Sequence, residues 1–232
     1  MRWLGPADLV AVVRSEAGIL MPYLRTNVGV LGLVTTIYSL LNFAGFGILG
    51  WIATAYVRLY HISIGSAGMI VGMIVLVGTA IGAIAGGELA DHWHRTGAVG
   101  GRLLVPAICG PAMALLLACW WLVDDLVLSM GIGMLTMAAL MAANSTATAV
   151  IAEIVPGRVR GTVYSLYLLA VGLFGITLGP LCVALVTDRW FAAAAALRYS
   201  IIIVPAPAAF MAAGIAWTGR AYYSRALAKI VE

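Results

Sequence analysis

Met69-Ile70-Val71-Gly72-Met73-Ile74-Val75-Leu76-Val77-Gly78-Thr79-Ala80-Ile81-Gly82-Ala83-Ile84-Ala85-Gly86-Gly87 runs without a charged side chain and then breaks into Glu88-Leu89-Ala90-Asp91-His92-Trp93-His94-Arg95. An apolar stretch of roughly 20 residues crosses the hydrocarbon of a bilayer as a helix. The run does not alternate polar and apolar at period two, which excludes a barrel strand, and only helices or closed barrels satisfy the backbone in lipid. Five further stretches lack Asp, Glu, Lys and Arg over a comparable or greater length, so the six are 26–57, 59–87, 103–123, 126–152, 161–187 and 199–219.

Composition supports that reading. Of 232 residues, 63% are hydrophobic and only 9% charged, whereas a soluble domain carries about 25% charged residues. So few charges cannot clothe a water-facing surface. The net charge of +4 sits in short segments between apolar runs, which argues against nucleic acid and for a lipid bilayer as the surrounding partner. Cys109, Cys119 and Cys182 all lie within apolar runs, without disulfide or metal-ligand spacing. Residues 1–24 carry Asp8, Arg14 and Glu16 and lack the unbroken apolar core and cleavage site of a secretory leader, so none is expected there.

The links are short: His61 to Gly65, Asp124-Asp125, and Pro156 to Arg160. They force an up-and-down order with both termini on one side. Arg2, Arg14, Arg25, Arg95, Arg102, Arg158, Arg160, Arg220, Arg225 and Lys229 fall on that side, against Arg58, Arg189 and Arg198 on the other. Positive charge stays inside, so both termini are expected in the cytoplasm of a multi-pass protein in the cell (inner or plasma) membrane. The expected organisation is a cytoplasmic linker or amphipathic segment over 1–25, a six-helix transmembrane domain over 26–219 and a cytoplasmic tail over 220–232. The flanking segments either lie along the interface or merely extend the helices beside them.

Gly82 precedes Asp91 by nine residues, and Gly179 precedes Asp188 by nine. The first and fourth spans start about the same distance apart as these aspartates. The all-α membrane fold is therefore expected to be a 3+3 inverted repeat, an arrangement common in secondary transporters.

The loop after the quoted run resembles the signature loop of the major facilitator superfamily, Gly-x-x-x-Asp-Arg-x-Gly-Arg. Gly87, Asp91 and Arg95 match it, while His92 and His94 stand where Arg and Gly are usual. Glu153-Ile154-Val155-Pro156 followed by Arg158, Arg160 and Gly161 resembles the end of the fourth helix of such a half, and the resemblance implies a Glu153–Arg95 pair with Arg160 nearby. Gly175-Ile176-Thr177-Leu178-Gly179-Pro180 looks like the eleventh helix of a facilitator, and Gly78, Gly82 and Gly86 recur as a further packing face. Trp51 with Tyr56-Val57-Arg58, Val155 to Tyr167, and Thr187-Asp188 with Leu197-Arg198-Tyr199-Ser200 extend the likeness to bacterial spinster-like members.

The resemblance implies the C-terminal half of a secondary active transporter that moves a small organic or amphipathic solute by alternating access. It also implies a missing N-terminal six-helix half, in the same or a separate chain, against which Asp91 would dock. The alternatives are a self-associating six-helix membrane protein and a non-functional transporter fragment. Intramembrane polar residues tend to face a cavity or the bundle interior. Thr35, Tyr38 and Asn42 share one helical face, Asn144 and Thr148 another, and Tyr164 and Tyr167 join them as candidate cavity residues; interhelical hydrogen bonding alone is the competing reading.

No enzyme is expected, because no nucleophile with a base stands on facing helices. No metal is expected, since His92 and His94 lack a third ligand. No cofactor is expected either: Gly97 to Gly101 lacks the Lys-Ser/Thr of a phosphate loop. In a cysteine-less background, Asp124→Cys should react with a membrane-impermeant maleimide on intact cells while Gly97→Cys stays unlabelled. The opposite pattern would invert the orientation.

Overall fold

The computed structural model describes residues 6–191 and 197–231, and side chains within them except for 6–17, 19, 191, 230 and 231. Every regular element among them is helical. The first span is α1 (Pro6–Leu49) and α2 (Ile52–Tyr60), joined by a turn at Gly50-Trp51. Then come α3 (Ile64–Arg95), α4 (Gly101–Leu122), and α5 (Leu126–Ser145) continued by α6 (Ala147–Ile154). The fifth span is α7 (Arg160–Val171), a π-helical stretch Gly172–Leu178, α8 (Gly179–Val186) and a second π stretch Thr187–Phe191. The sixth is α9 (Leu197–Ile203) and α10 (Pro205–Val231). Six helical stretches are thus long and apolar enough to cross a membrane.

The helix borders follow local chemistry. Ser63 caps α3, its hydroxyl accepting from Ser66 N–H at 3.1 Å, and Asp125 caps α5 by accepting from Leu128 N–H at 2.7 Å. Gly100 opens α4 at φ 62°, where a Cβ would stand 2.7 Å from Arg220 Cβ, so both dihedral and space demand glycine. The segments on either side of the bundle do not stand apart from it: residues 6–25 run straight into the first span, and 220–231 continue α10. The side chains of Leu9, Val10 and Val13, read as an apolar face, lie outside the described residues.

Lipid tails are as apolar as the helix surfaces, so close backbone approach must hold the spans together. Gly78, Gly82 and Gly86 are buried against α5. A Cβ on Gly78 would sit 2.6 Å from Met134 O, and one on Gly86 would sit 2.5 Å from Ala142 Cα. Their partners, Met134, Ala138 and Ala142, advance in step with them, so α3 and α5 run parallel. Gly175 and Gly179 play the same part on α1: Cβ atoms there would meet Asn42 Cβ at 2.9 Å and Gly47 N at 2.9 Å. Trp51 Nε1–H donates to Pro180 O at 3.0 Å across that seam. Pro180 lacks an amide hydrogen, and the π stretch lies immediately before it. Such local π geometry is one way a chain absorbs a break in its hydrogen-bond ladder.

Packing proceeds from α3 to α5, then to α4, α10, α1 and finally α7–α8. Contacts of α1 with α5 and α6 close the middle of this row. α3 and α7–α8 stand at its two edges without a packed seam between them. Both edges expose large apolar residues, among them Met73, Leu76 and Ile84 on α3 and Leu169, Leu173 and Ile176 on the fifth span. At the end bearing Asp124, Trp120 Nε1–H donates to Tyr56 Oη at 3.0 Å and Ser129 Oγ at 3.1 Å, and Trp120 stacks on Trp121.

Gly82→Leu should destabilise the protein in detergent by at least about 2 kcal/mol, as overpacking against backbone cannot relax by rotamer change. Gly72→Leu, whose Cβ meets nothing within 4 Å, should leave the melting temperature unchanged. Thermal melts with size-exclusion profiles decide it.

Candidate functional site

The end of the bundle bearing Asp91 is organised around the C-terminal turn of α6. A helix ends in carbonyls without intrahelical donors and carries partial negative charge there. Glu153 adds a carboxylate to the same turn. Arg102, on the first turn of α4, brings Nε to 3.0 Å from Glu153 Oε1, a charge contact whose N–H is not aligned for a hydrogen bond. His94 Nδ1 stands 3.4 Å from the same oxygen. Tyr223 of α10 donates its hydroxyl to Glu153 Oε2. Arg160, opening α7, donates from Nη2 to Ala152 O at 2.9 Å and from Nε to Val155 O at 3.2 Å. Tyr23 of α1 donates to Ile154 O at 2.9 Å. Side chains from α1, α3, α4, α7 and α10 therefore meet on residues 152–155.

This corrects the pairing that the family resemblance implied. Glu153 pairs with Arg102 and His94, not with Arg95. The reason is angular: His94 and Arg95 are adjacent on α3 and point about 100° apart. Arg95 is exposed and lines an open recess of about 660 Å³ with Glu88, Asp91 and His92. Among the described residues no ion pair involves Asp91 or Arg95. Gly87 faces open space as well, and it is Gly86 that takes the neighbouring backbone.

The seven intramembrane candidates do not meet in one cavity. Thr35 and Tyr167 line a recess of about 330 Å³ with Leu31, Ile151, Val163 and Leu166. Asn42 and Asn144 line one of about 260 Å³ with Phe46, Thr79, Met137 and Met141. Thr148 and Tyr164 line a third, about 480 Å³, with Arg160 and Gly161. Ile151 is common to the first and third. Tyr38 lines none of them. It is fully buried, with its hydroxyl 2.7 Å from Thr146 Oγ1 and its ring edge-on to Tyr167. Its position on the helical face with Thr35 and Asn42 is as the spacing predicts, but α6 and α7 cover that point of α1.

Asn42 Nδ2 donates to Asn144 Oδ1 and to Tyr38 O, both at 2.8 Å, and Asn144 Nδ2 donates to Leu140 O at 3.1 Å. The amides thus bridge α1 and α5 while keeping spare donor and acceptor capacity at the recess. Tyr164 stacks on Tyr167 with centroids 5.6 Å apart. Apolar recesses of this kind, one with two amides and two with a phenol each, offer an amphipathic molecule apolar contact and a few hydrogen bonds.

Sequence reasoning missed Arg102, Tyr223, Tyr23 and Thr146. Arg102 was legible only as one of several positive charges. Tyr223 lay in what reads as a tail, and nothing local tells that its ring is buried.

Glu153→Gln should lower stability by about 2 kcal/mol, because it strips a half-buried Arg102 of its counter-charge. Arg95→Gln should stay within about 0.5 kcal/mol of the parent. Equal effects on melting in detergent would contradict the pairing.

No family model and no curated protein matches the chain. Solved structures do. A bacterial homologue of the human lysosomal transporter Spinster, inward-facing and unoccupied, superposes with a TM-score of 0.62 at 17% identity over 91% of this chain and 50% of the other. The same kind of homologue in an inward-facing, occupied conformation gives 0.60 at 18% identity over 86% and 49%. The chain spans about half the length of these structures, and at such identity the likeness is one of fold. The described residues have the fold of one six-helix half of these bacterial Spinster-homologue structures, with six helices long and apolar enough to cross a membrane.

Proposed function

We propose that this chain works as the C-terminal half of a secondary active transporter, moving a small organic or amphipathic solute by alternating access against a second six-helix half. The observation that carries the proposal is the unpaired face between α3 and α7–α8, along which α1 and α5–α6 present the recesses holding Asn42, Asn144, Thr35 and Tyr167. Its likeness to half of a Spinster homologue supports the same reading. Substrate in such folds sits between the halves near the bilayer midplane. These recesses would supply one wall of that site, with the second half, in the same or a separate chain, supplying the other. Their lining is free of charged groups at the level of Asn42 and Asn144, which favours a solute whose buried part is uncharged.

In this reading Asp91, Gly87 and Arg95 face the second half at the loop end, which fits their exposure and their open recess. Glu153 and Arg160 keep the end of this half rigid while the halves rock. The glycine seams at Gly78, Gly82 and Gly86, and at Gly175, Gly179 and Pro180, bind each edge helix firmly to its neighbour, so that the half moves as a body. Both termini lie in the cytoplasm of a cell membrane by the distribution of Lys and Arg.

The test is uptake of a fluorescent amphipathic solute panel into proteoliposomes holding this chain together with its six-helix partner half. Asn144→Leu should cut uptake at least about tenfold, since a site built to hydrogen-bond its substrate loses that much without the bond. Asp91→Asn should slow turnover without abolishing solute binding. Full uptake by Asn144→Leu, or by this chain alone, would overturn the reading; the latter would favour a self-associating six-helix protein.

A further inference from the structure

The groove between α1 and α10 at the loop end is built differently from the recesses above. It has a volume of about 620 Å³ and is lined by Thr26, Asn27, Val30, Tyr222, Arg225 and Lys229, with two alanines. Two cations and a phenol stand on its α10 wall. Among the described residues no carboxylate lines it and neither cation has an ion pair. Gly29 creates the space: a Cβ there would collide with the Tyr222 hydroxyl and lie 3.2 Å from Cζ, so the phenol lies directly on the α1 backbone. Arg225 Nε–H donates to Ala221 O at 3.2 Å, which fixes the guanidinium stem and leaves its terminal nitrogens free. Asn27 uses one amide proton on Tyr23 O at 3.1 Å and keeps the other.

The depth of this groove is set by Trp217 and Arg220. Trp217 is half exposed, and the Arg220 guanidinium lies 3.9 Å above its ring. Tryptophan with arginine at a span's end marks the headgroup level of a bilayer. Tyr222 follows within about 8 Å along α10, at the same level, and Arg225 and Lys229 stand roughly 12 and 18 Å beyond Trp217, above that layer, with long side chains that can reach back toward it. Below them, Leu33 seats in the space left by Gly219, so the groove floor becomes apolar toward the membrane centre. Cations above and an apolar floor below match the shape of a phospholipid rather than that of a soluble anion.

We propose that this groove binds the phosphodiester headgroup of an anionic phospholipid, with Arg225 and Lys229 on the phosphate, Tyr222 and Asn27 as hydrogen-bond donors, and acyl chains running down the α1–α10 seam. The lipid fastens the sixth span to the first, where no salt bridge joins the two among the described residues. The inference does not depend on the transport reading and holds for any function of the fold.

Native mass spectrometry of the purified chain, loaded from mixed micelles of phosphatidylglycerol and phosphatidylcholine, tests it. Phosphatidylglycerol should be retained at least about tenfold more tightly than phosphatidylcholine, and Arg225→Ala/Lys229→Ala should remove that preference. Arg225→Lys/Lys229→Arg should keep it, and Arg158→Ala, a charge at the same end but off the groove, should not change it. Equal retention of the two lipids, or an undiminished preference in the double alanine variant, overturns the proposal. So does displacement of the lipid by millimolar inorganic phosphate, which would assign the site to a free anion. Size-exclusion profiles of the variants exclude loss by misfolding, because neither cation is buried.

Discussion

The turn that ends α6 holds one end of this molecule together. Three successive features converge there: carbonyls left without intrahelical donors, the partial negative charge of a helix C-terminus, and the Glu153 carboxylate. None is stable alone at the edge of a membrane, where water is scarce and a bare carbonyl or carboxylate is costly. The chain answers with partners from five helices: charge contacts from Arg102 of α4 and His94 of α3, and hydrogen bonds from Tyr223 of α10, Arg160 of α7 and Tyr23 of α1. Because each partner comes from a different helix, satisfying one turn fixes the relative position of five others. The net energy of such a cluster is modest, since desolvation offsets much of the attraction. What it contributes is a single arrangement, because removing any donor leaves a half-buried charge or carbonyl behind.

Deeper in the bilayer the organising force changes. Between α3 and α5, and between α1 and α8, contact is made by glycine on one side and backbone on the other. Each seam joins helices that run parallel, and each leaves the outer helix covered on one face only. The edges of the half are thus stiffly attached yet broadly exposed, partly to lipid and, in the proposed cycle, partly to a second half. The recesses with Asn42, Asn144, Thr35 and Tyr167 lie between those edges. The phospholipid groove lies elsewhere, between α1 and α10. One fold therefore presents two kinds of surface, a nearly uncharged one along α1 and α5–α6 and a basic one between α1 and α10 at the loop end.

How much of this was legible beforehand depended on whether the signal was local. The six spans were, since apolar length is a property of consecutive residues, although their ends shift where Arg160 or residues 220–231 continue a helix past the first charge. The glycines at 78, 82 and 86 were also legible as a face, because i, i+4, i+8 lies on one side of any helix. The pairing of Glu153 was not. Sequence likeness pointed to Arg95, and only the rotation of α3 about its axis aims His94 at Glu153 and Arg95 away from it. Likewise Tyr38 shares a face with Thr35 and Asn42 by spacing, yet α6 and α7 happen to cover it.

The sequence by itself determined the solvent of this protein, its number of spans, and which residues could pack closely, because each of these follows from hydrophobicity and side-chain size along a short stretch. Only the tertiary structure decided which cation reaches Glu153, that the polar face of α1 divides among separate recesses, and that Tyr222 lies on Gly29 with Arg225 and Lys229 in the same groove. Those outcomes depend on helix rotation and on register between spans far apart in the chain, and neither is encoded in any single helix.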